Sequence, residues 1–349
     1  MSEFVKPIKV LVVDDSALMR KMIGEFIDQD PALHLSGTAR NGQEALEQIK
    51  ALRPDVVTLD IEMPVMDGLQ ALARYMADMP TATVILSAHA KEGAEATLLA
   101  LELGAVDFIT KPSGSISLDI DRVRKDLVEK IRTAAGVDLS KLRQPTQRLV
   151  PPLPLAPRDP GRGFTLVAIG SSTGGTRALS EVLPGLPAGL GASYLLVQHM
   201  PLGFTRSLAE RLNARSKISV KEAEQGDAIR PGQALLAPAG YHLELDAGGQ
   251  RISLNQNPTK FGVRPSVDIM MQSVAAHATQ PLVGVIMTGM GHDGAQGMLE
   301  IREKGGATIA EDKSTCVVFG MPKSAIEAGA VQQVLPLDKI PGAIIKACE

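Results

Sequence analysis

The chain has 349 residues, with 36 Lys and Arg against 39 Asp and Glu, a formal net charge of -3. At 44% hydrophobic and 21% charged its composition is that of an ordinary globular protein, which excludes wholesale disorder and collagen-like order. The charge balance lacks the basic footprint of a nucleic-acid binder or a polybasic membrane anchor. In chain order, nearly continuous apolar runs at 8–13, 56–59 and 83–86 predict parallel strands buried on both faces. Weaker strand patterns fall at 34–39 and 107–111. Between them, three- and four-residue apolar spacing predicts helices over 17–27, 43–52, 69–76, 92–103 and 118–132, with Leu18, Met22 and Phe26 on one inward stripe. Five strands alternating with five helices predict an open doubly wound α/β domain over residues 1–135.

Residues 136–163 carry prolines at 145, 151, 152, 154, 157 and 160 and read as a semi-extended linker. A second α/β domain is expected over 164–349. Its predicted strands are 165–169, 193–197, 282–287, 308–310 and 333–335, and its predicted helices 176–183, 205–213, 266–276, 295–304 and 322–328. Between 219 and 255 the pattern alternates, and the Gly248-Gly249 turn between 241–245 and 251–254 predicts an inserted β-hairpin. No apolar run nears the ~18 residues needed to span a bilayer, and the first residues lack a signal-peptide core. A cytoplasmic protein, not inserted in a membrane, is expected. With no Trp, 3 Tyr and 7 Phe there is no stacking platform for single strands, so no nucleic-acid partner is expected. Cys316 and Cys348 supply neither a zinc site nor a disulfide framework and read as packing residues.

Asp14 and Asp15 directly follow the first strand, and Asp60 ends the third. Carboxyl strand ends line the crevice of a doubly wound sheet, so these three should converge there. Converging carboxylates raise one another's pKa unless a cation lies among them, and hard oxygen ligands with room for water suit Mg²⁺. Lys111 brings an ammonium to the same rim and Ser87 a hydroxyl. Such a set serves phosphoryl transfer to a carboxylate: Asp60 attacks phosphorus while the metal and Lys111 neutralise developing charge. Asp14-Asp15-Ser16 alone reads first as a helix N-cap. The full set is different: Val12-Val13-Asp14-Asp15-Ser16, Leu59-Asp60-Ile61-Glu62-Met63-Pro64-Val65-Met66-Asp67-Gly68, Leu86-Ser87-Ala88 and Lys111-Pro112. In that order, over roughly residues 7–133, it resembles a response-regulator receiver domain, which has a flavodoxin-like fold. The resemblance implies that Asp60 is the phosphoacceptor. It further implies that Asp14, Asp15, Asp60 and the Glu62 carbonyl hold Mg²⁺, that Lys111 contacts the phosphoryl group, and that Ser87 and Phe108 are the switch hydroxyl and switch aromatic.

The strand over 165–169 runs into Gly170-Ser171-Ser172-Thr173-Gly174-Gly175-Thr176 and then a helix. A serine on such a turn lies at a helix N-terminus, which favours a nearby oxyanion. Taken alone, the segment fits a phosphate cradle or a plain loop better. A nucleophilic serine requires a base and an orienting acid. His199 follows the strand over 193–197 and Asp293 the strand over 282–287, so three carboxyl strand ends deliver Ser172, His199 and Asp293 to one crevice. The bland alternatives are a loop-rim histidine at 199 and an Asp293 that caps the helix starting at Ala295. His292 competes as the base, but its ring cannot easily turn toward its own neighbour. His34, His89, His242 and His277 show no ligand spacing and read as structural.

The order Ser172, His199, Asp293 differs from that of α/β-hydrolases. With the receiver-like half it resembles the chemotaxis protein-glutamate methylesterase family, CheB, over essentially the whole chain. The resemblance rests on 168–176, Gln198-His199-Met200-Pro201, Ala237-Pro238-Ala239-Gly240-Tyr241-His242, Arg264-Pro265-Ser266-Val267-Asp268 and 287–294. Ser171 and His292 are local variations, and Ser171 adds a second hydroxyl beside Ser172. The resemblance implies a doubly wound α/β methylesterase domain acting as a phosphorylation-activated hydrolase. Its substrates would be glutamyl methyl esters, and also glutamines, on chemoreceptor cytoplasmic domains. Ser172 would attack, His199 take the proton, Asp293 hold the imidazole tautomer, and backbone N–H groups near Thr173 and Met290 bind the oxyanion. The esterase chemistry needs no cofactor, and a chemotaxis histidine kinase would be the phosphodonor. The competing class, a phosphorylation-controlled non-catalytic binding module, is weakened by retention of all three triad residues. A DNA-binding regulator would need a helix-turn-helix and a basic face, and neither is present.

Overall fold

Alternation of apolar strands with amphipathic helices builds one parallel sheet in each of two units, residues 1–144 and 145–349. The computed structural model describes residues 6–87, 91–111, 120–142 and 163–349. Most of the expected proline-rich linker, from 143 to 162, lies outside the described residues, as do His89 and Pro112. Among the described residues no helix is long and apolar enough to cross a membrane.

The first unit runs β1 (Ile8–Val13), α1 (Ala17–Asp28), β2 (Leu33–Ala39), α2 (Gly42–Leu52), β3 (Val56–Asp60) and α3 (Gly68–Asp78). It continues with β4 (Ala82–Ser87), α4 (Lys91–Glu102), β5 (Asp107–Thr110) and α5 (Ile120–Ala135). The strands pair in parallel in the order β2-β1-β3-β4-β5. Val10 to Val13, Val56, Val57 and Leu59 are fully enclosed, as strands covered by helices on both faces must be. Helix starts follow the expected chemistry: the Ser16, Asn41 and Asp67 side chains accept from the backbone of Met19, Glu44 and Gln70. Leu18 departs from its expected inward stripe and is 74% exposed. The buried face of α1 is instead Ile23, Phe26 and Ile27. Two overlapping apolar rows satisfy the same spacing, and the first turn starts at the sheet's carboxyl edge, where no strand lies beneath it.

The second unit contains β6 (Thr165–Ser171), α6 (Gly175–Val182), β7 (Ala192–Gln198), α7 (Thr205–Arg215), β8 (Ser219–Glu222) and β9 (Gln233–Leu236). Then come β10 (His242–Leu245), β11 (Ile252–Asn255), α8 (Val267–His277), β12 (Leu282–Ile286) and α9 (Ala295–Glu303). The unit closes with β13 (Ala307–Glu311), α10 (Met321–Glu327), β14 (Gln333–Leu335) and α11 (Ile340–Cys348). Seven strands pair in parallel in the order β14-β13-β12-β6-β7-β9-β8. β10 and β11 form the expected antiparallel hairpin, a separate sheet. The sequence pattern suggested only five strands here. β8 at the edge and β9 beside it are only four residues long, and alternation alone does not distinguish a hairpin from the rim of a parallel sheet. α11 also went unpredicted; it buries Ile340, Ile344, Ile345 and Cys348 on one face. The chain builds the sheet outward from β6 through β7, then returns on its other side with β12, β13 and β14. The carboxyl ends of β12, β6 and β7 therefore lie side by side at the topological switch point.

Candidate functional sites

At the carboxyl edge of the first sheet, Asp14 follows β1 and Asp60 closes β3; both are buried, while Asp15 is exposed. One carboxylate oxygen from each of the three lies within 4.8 Å of the others. Lys111 Nζ pairs with Asp14 Oδ2 at 2.9 Å and Asp60 Oδ2 at 2.8 Å. Burial pushes the Asp60 carboxyl up to about 6, against the pull of Lys111 and the Glu62 backbone N–H, and the Asp14 charge adds to the rise. One ammonium thus leaves three carboxylates undercompensated. An all-oxygen donor set with excess negative charge fits a hard divalent cation such as Mg²⁺. Gly68 is needed where it stands: a Cβ there would collide with the Asp60 carbonyl, so the Asp67-Gly68 pair lets the loop fold back onto the strand end.

The other residues singled out in this half are near that edge but differently engaged. The Glu62 side chain is exposed. Ser87 Oγ lies 2.6 Å from Thr97 Oγ1, and because Thr97 donates to the Gly93 carbonyl, Ser87 donates to Thr97. The Phe108 ring is buried beneath Lys130, whose Nζ lies 5.6 Å from the ring centroid.

In the second unit, the β6–β7 register ends at Ser171 opposite Gln198, so Ser172 and His199 are the first residues beyond two paired strand ends. Gln198 fastens them together: its Nε2 donates to the carbonyls of Ser172 (2.9 Å) and His199 (3.0 Å). Its Oε1 accepts from Ser171 Oγ at 2.7 Å. The second hydroxyl beside Ser172 is therefore fully buried and committed to Gln198. His199 Nε2 lies 2.8 Å from Asp293 Oδ2.

Asp293 is held by four donors. Oδ2 also accepts the Val267 N–H at 2.7 Å, and Oδ1 accepts Ser266 Oγ at 2.8 Å and the Asp268 N–H at 3.0 Å. Burial works to raise this carboxyl, but His199 and the two N–H groups outweigh it and hold it below the ordinary carboxylate range. Asp293 does cap a helix, but it is α8 rather than the α9 of the alternative reading. The α9 start is held by the buried Asp268, whose Oδ1 accepts from Gly294 N–H (3.0 Å) and Gly297 N–H (2.8 Å). Lys260 pairs with Asp268 Oδ2 at 3.2 Å. His292 is exposed and lies edge-on to Phe261, with ring centroids 4.2 Å apart.

Beneath the serine turn, Thr288 joins three segments. Its carbonyl accepts the Ser172 N–H at 3.0 Å, its hydroxyl donates to the Thr173 carbonyl at 2.9 Å, and its N–H donates to Glu311 Oε2 at 2.8 Å. Gly289 is pressed against the Ser172 turn, since a Cβ there would lie 2.8 Å from the Ser172 Cβ. Met290 follows it, half-buried. Sequence reasoning assigned no role to Gln198, Ser266, Asp268, Thr288 or Glu311. Ser266 carried the one usable signal, a serine at the start of a helical pattern.

Residues 10–120 match the response regulator receiver domain family, and residues 167–344 the CheB methylesterase family. The protein-glutamate methylesterase/protein-glutamine glutaminase of Symbiobacterium thermophilum is 52% identical over 98% of this chain and 97% of its own length. The protein of the same name from Pyrococcus horikoshii is 50% identical over 99% and 94%. Among solved structures, the CheB methylesterase catalytic domain of Thermotoga maritima is 46% identical; it covers 53% of this chain and 98% of its own, with a TM-score of 0.51. Two sheets of this build, a carboxylate cluster on one and a serine beside a His–Asp pair on the other, together with identity of this extent, place the chain in the CheB methylesterase family.

Proposed function

We propose that the chain is a phosphorylation-activated hydrolase that demethylates glutamyl methyl esters on chemoreceptor cytoplasmic domains, and deamidates glutamines there by the same acyl chemistry. Its receiver domain would span 1–135, its linker 136–163 and its catalytic domain 164–349. The supporting observation is the 2.8 Å contact of His199 Nε2 with a buried Asp293 carboxylate, beside the turn that carries Ser172. With Nε2–H donating to Asp293, Nδ1 is the nitrogen that takes the proton as Ser172 Oγ attacks the ester carbonyl. Backbone N–H groups of Thr173 and Met290 stabilise the oxyanion; removing one such donor typically costs ~10²–10³-fold in turnover. His199 then protonates the departing methoxide, releasing methanol. Water, deprotonated by His199, cleaves the acyl-enzyme to leave glutamate. A glutamine substrate releases ammonia where the ester releases methanol, as the acyl-enzyme forms, with His199 protonating the leaving nitrogen.

In the receiver, Asp14, Asp15, Asp60 and the Glu62 carbonyl would hold Mg²⁺, which supplies positive charge at the incoming phosphoryl oxygens. Asp60 attacks the phosphoryl group on the histidine of a cytoplasmic chemotaxis histidine kinase, the P–N bond breaks and the kinase imidazole leaves with a proton, and Lys111 neutralises a further oxygen. Ser87 and Phe108 respond to the new charge and carry the switch. The test is methanol release from methylated receptor membranes with Mg²⁺, with and without a small-molecule phosphodonor, and Ser172→Ala as the blank. Release that rises with phosphodonor and vanishes in the blank supports the reading. Binding to those membranes without any release would favour a non-catalytic module.

A further inference from the structure

His242 opens β10, in a segment to which the reaction above gives no role, and it is 0% exposed. Both ring nitrogens are engaged. Nε2 lies 3.2 Å from the Pro258 carbonyl, which only accepts, so Nε2 carries the proton. Nδ1 keeps its lone pair and accepts the Ser266 N–H at 3.2 Å. Ser266 in turn donates its hydroxyl to Asp293 Oδ1, and the next two N–H groups, of Val267 and Asp268, complete the hold on the carboxylate that receives His199. One neutral imidazole thus fixes the residue through which the acid of the hydrolytic site is held.

We propose that His242 is a positioning residue of the hydrolytic site: its neutral Nε2–H tautomer anchors Ser266 against Asp293, and protonation of Nδ1 releases that anchor. The proposal rests on the hydrolytic reading of Ser172, His199 and Asp293. A protonated Nδ1 would face the Ser266 N–H donor to donor, with no acceptor between them. The surroundings keep the neutral form in place. Burial lowers the His242 pKa and Arg264 adds to this, while the Pro258 carbonyl, Glu244 on the same strand and Asp293 act in the opposite sense. Asn255 of the paired strand donates to Glu244 at 2.7 Å. On α8, Asp268 is paired with Lys260, and His277 is exposed at the far end. The anchor therefore holds at neutral pH and is lost only on the acid side.

The test compares His242→Asn, whose amide oxygen can accept the Ser266 N–H without titrating, with His242→Leu, which cannot accept it. Methanol release from methylated receptor membranes is read across pH, with Ser172→Ala as the blank. His242→Leu is expected to lose ~10–100-fold in kcat with KM within about twofold, the loss typical of a misplaced catalytic group. His242→Asn is expected to recover most of that loss at pH 7.5 and to show an acid limb with one ionisation fewer than the parent. An unchanged kcat in His242→Leu, or a parental acid limb in His242→Asn, overturns the proposal. Imidazole ¹⁵N spectra of the unaltered protein supply a readout that does not depend on either variant folding. They should show His242 neutral at pH 7 with the proton on Nε2, and a proton on Nδ1 would overturn the assignment. Release that survives in the Ser172→Ala blank would instead defeat the hydrolytic reading beneath it.

Discussion

Asp60 and Asp293 are the same residue type, 4% and 3% exposed, each beyond or at the carboxyl end of a parallel strand, yet their pKa values move in opposite directions. Burial prevails at Asp60, pushed up to about 6, and is outweighed at Asp293, held below the ordinary carboxylate range. The donors make the difference. Asp293 collects two N–H groups at a helix start, a serine hydroxyl and an imidazole, with Asp268 diverted to Lys260 and the α9 start. Asp60 shares its one ammonium with Asp14, a like charge beside it. A carboxylate satisfied by fixed dipoles stays ionised and orients its partner. One left short of positive charge retains the capacity to take a cation and a phosphoryl group.

The most severe way to break this comparison is at the serine turn. Ser172→Ala should lower methanol release by ~10⁴-fold or more, whereas Ser171→Ala should stay within about tenfold, because the Ser171 hydroxyl only braces Gln198. Equal losses in both would move the nucleophile's identity into question. Asp293→Asn should cost ~10³–10⁴-fold in kcat, since an amide presents an N–H donor where His199 needs an acceptor for Nε2–H. Asp268→Asn should cost far less, because its carboxylate holds a helix rather than the imidazole. On the other sheet, Asp60→Asn should reduce the ratio of rates with and without phosphodonor to about one, and EDTA should do the same to the unaltered protein. A ratio that survives Asp60→Asn would put the phosphoacceptor elsewhere.

What the sequence revealed and what it concealed divide along physical lines. Strands covered on both faces are written as unbroken apolar runs, so β1, β3 and β6 and the residues just past their ends could be read directly. The rows at Leu18 and Ile23 satisfy one helical period equally well, and only the sheet beneath chooses between them. The rim strands β8 and β9 alternate like a hairpin. Above all, the groups that hold Asp293 come from 266, 267 and 268, with His242 behind Ser266, all far from 293 in the chain, and a histidine engaged by two backbone groups leaves no spacing to recognise. The choice of Nε2 rather than Nδ1 toward Asp293 likewise belongs to the fold alone.

Glu311 adds a third treatment of a buried carboxyl and the smallest expected effect on turnover. It is 0% exposed at the end of β13, and burial pushes it up to about 7 against the Thr288 N–H it accepts. Its ordinary value is 4.5, so between about 4.5 and 7 the folded chain binds the proton more tightly than the unfolded chain. The stability this group contributes is therefore full at low pH and declines as pH rises through that window, by on the order of 3 kcal/mol. Glu311→Gln keeps an acceptor for Thr288 and removes the ionisation. Its advantage in thermal unfolding over the parent should grow from pH 5 to pH 8, while methanol release changes little because Thr288 still ties Ser172 and Thr173. A difference independent of pH would mean that Glu311 is ionised in the folded protein. Its carboxyl would then belong with Asp293, satisfied by donors, rather than with Asp60, which burial leaves in want of a counter-charge.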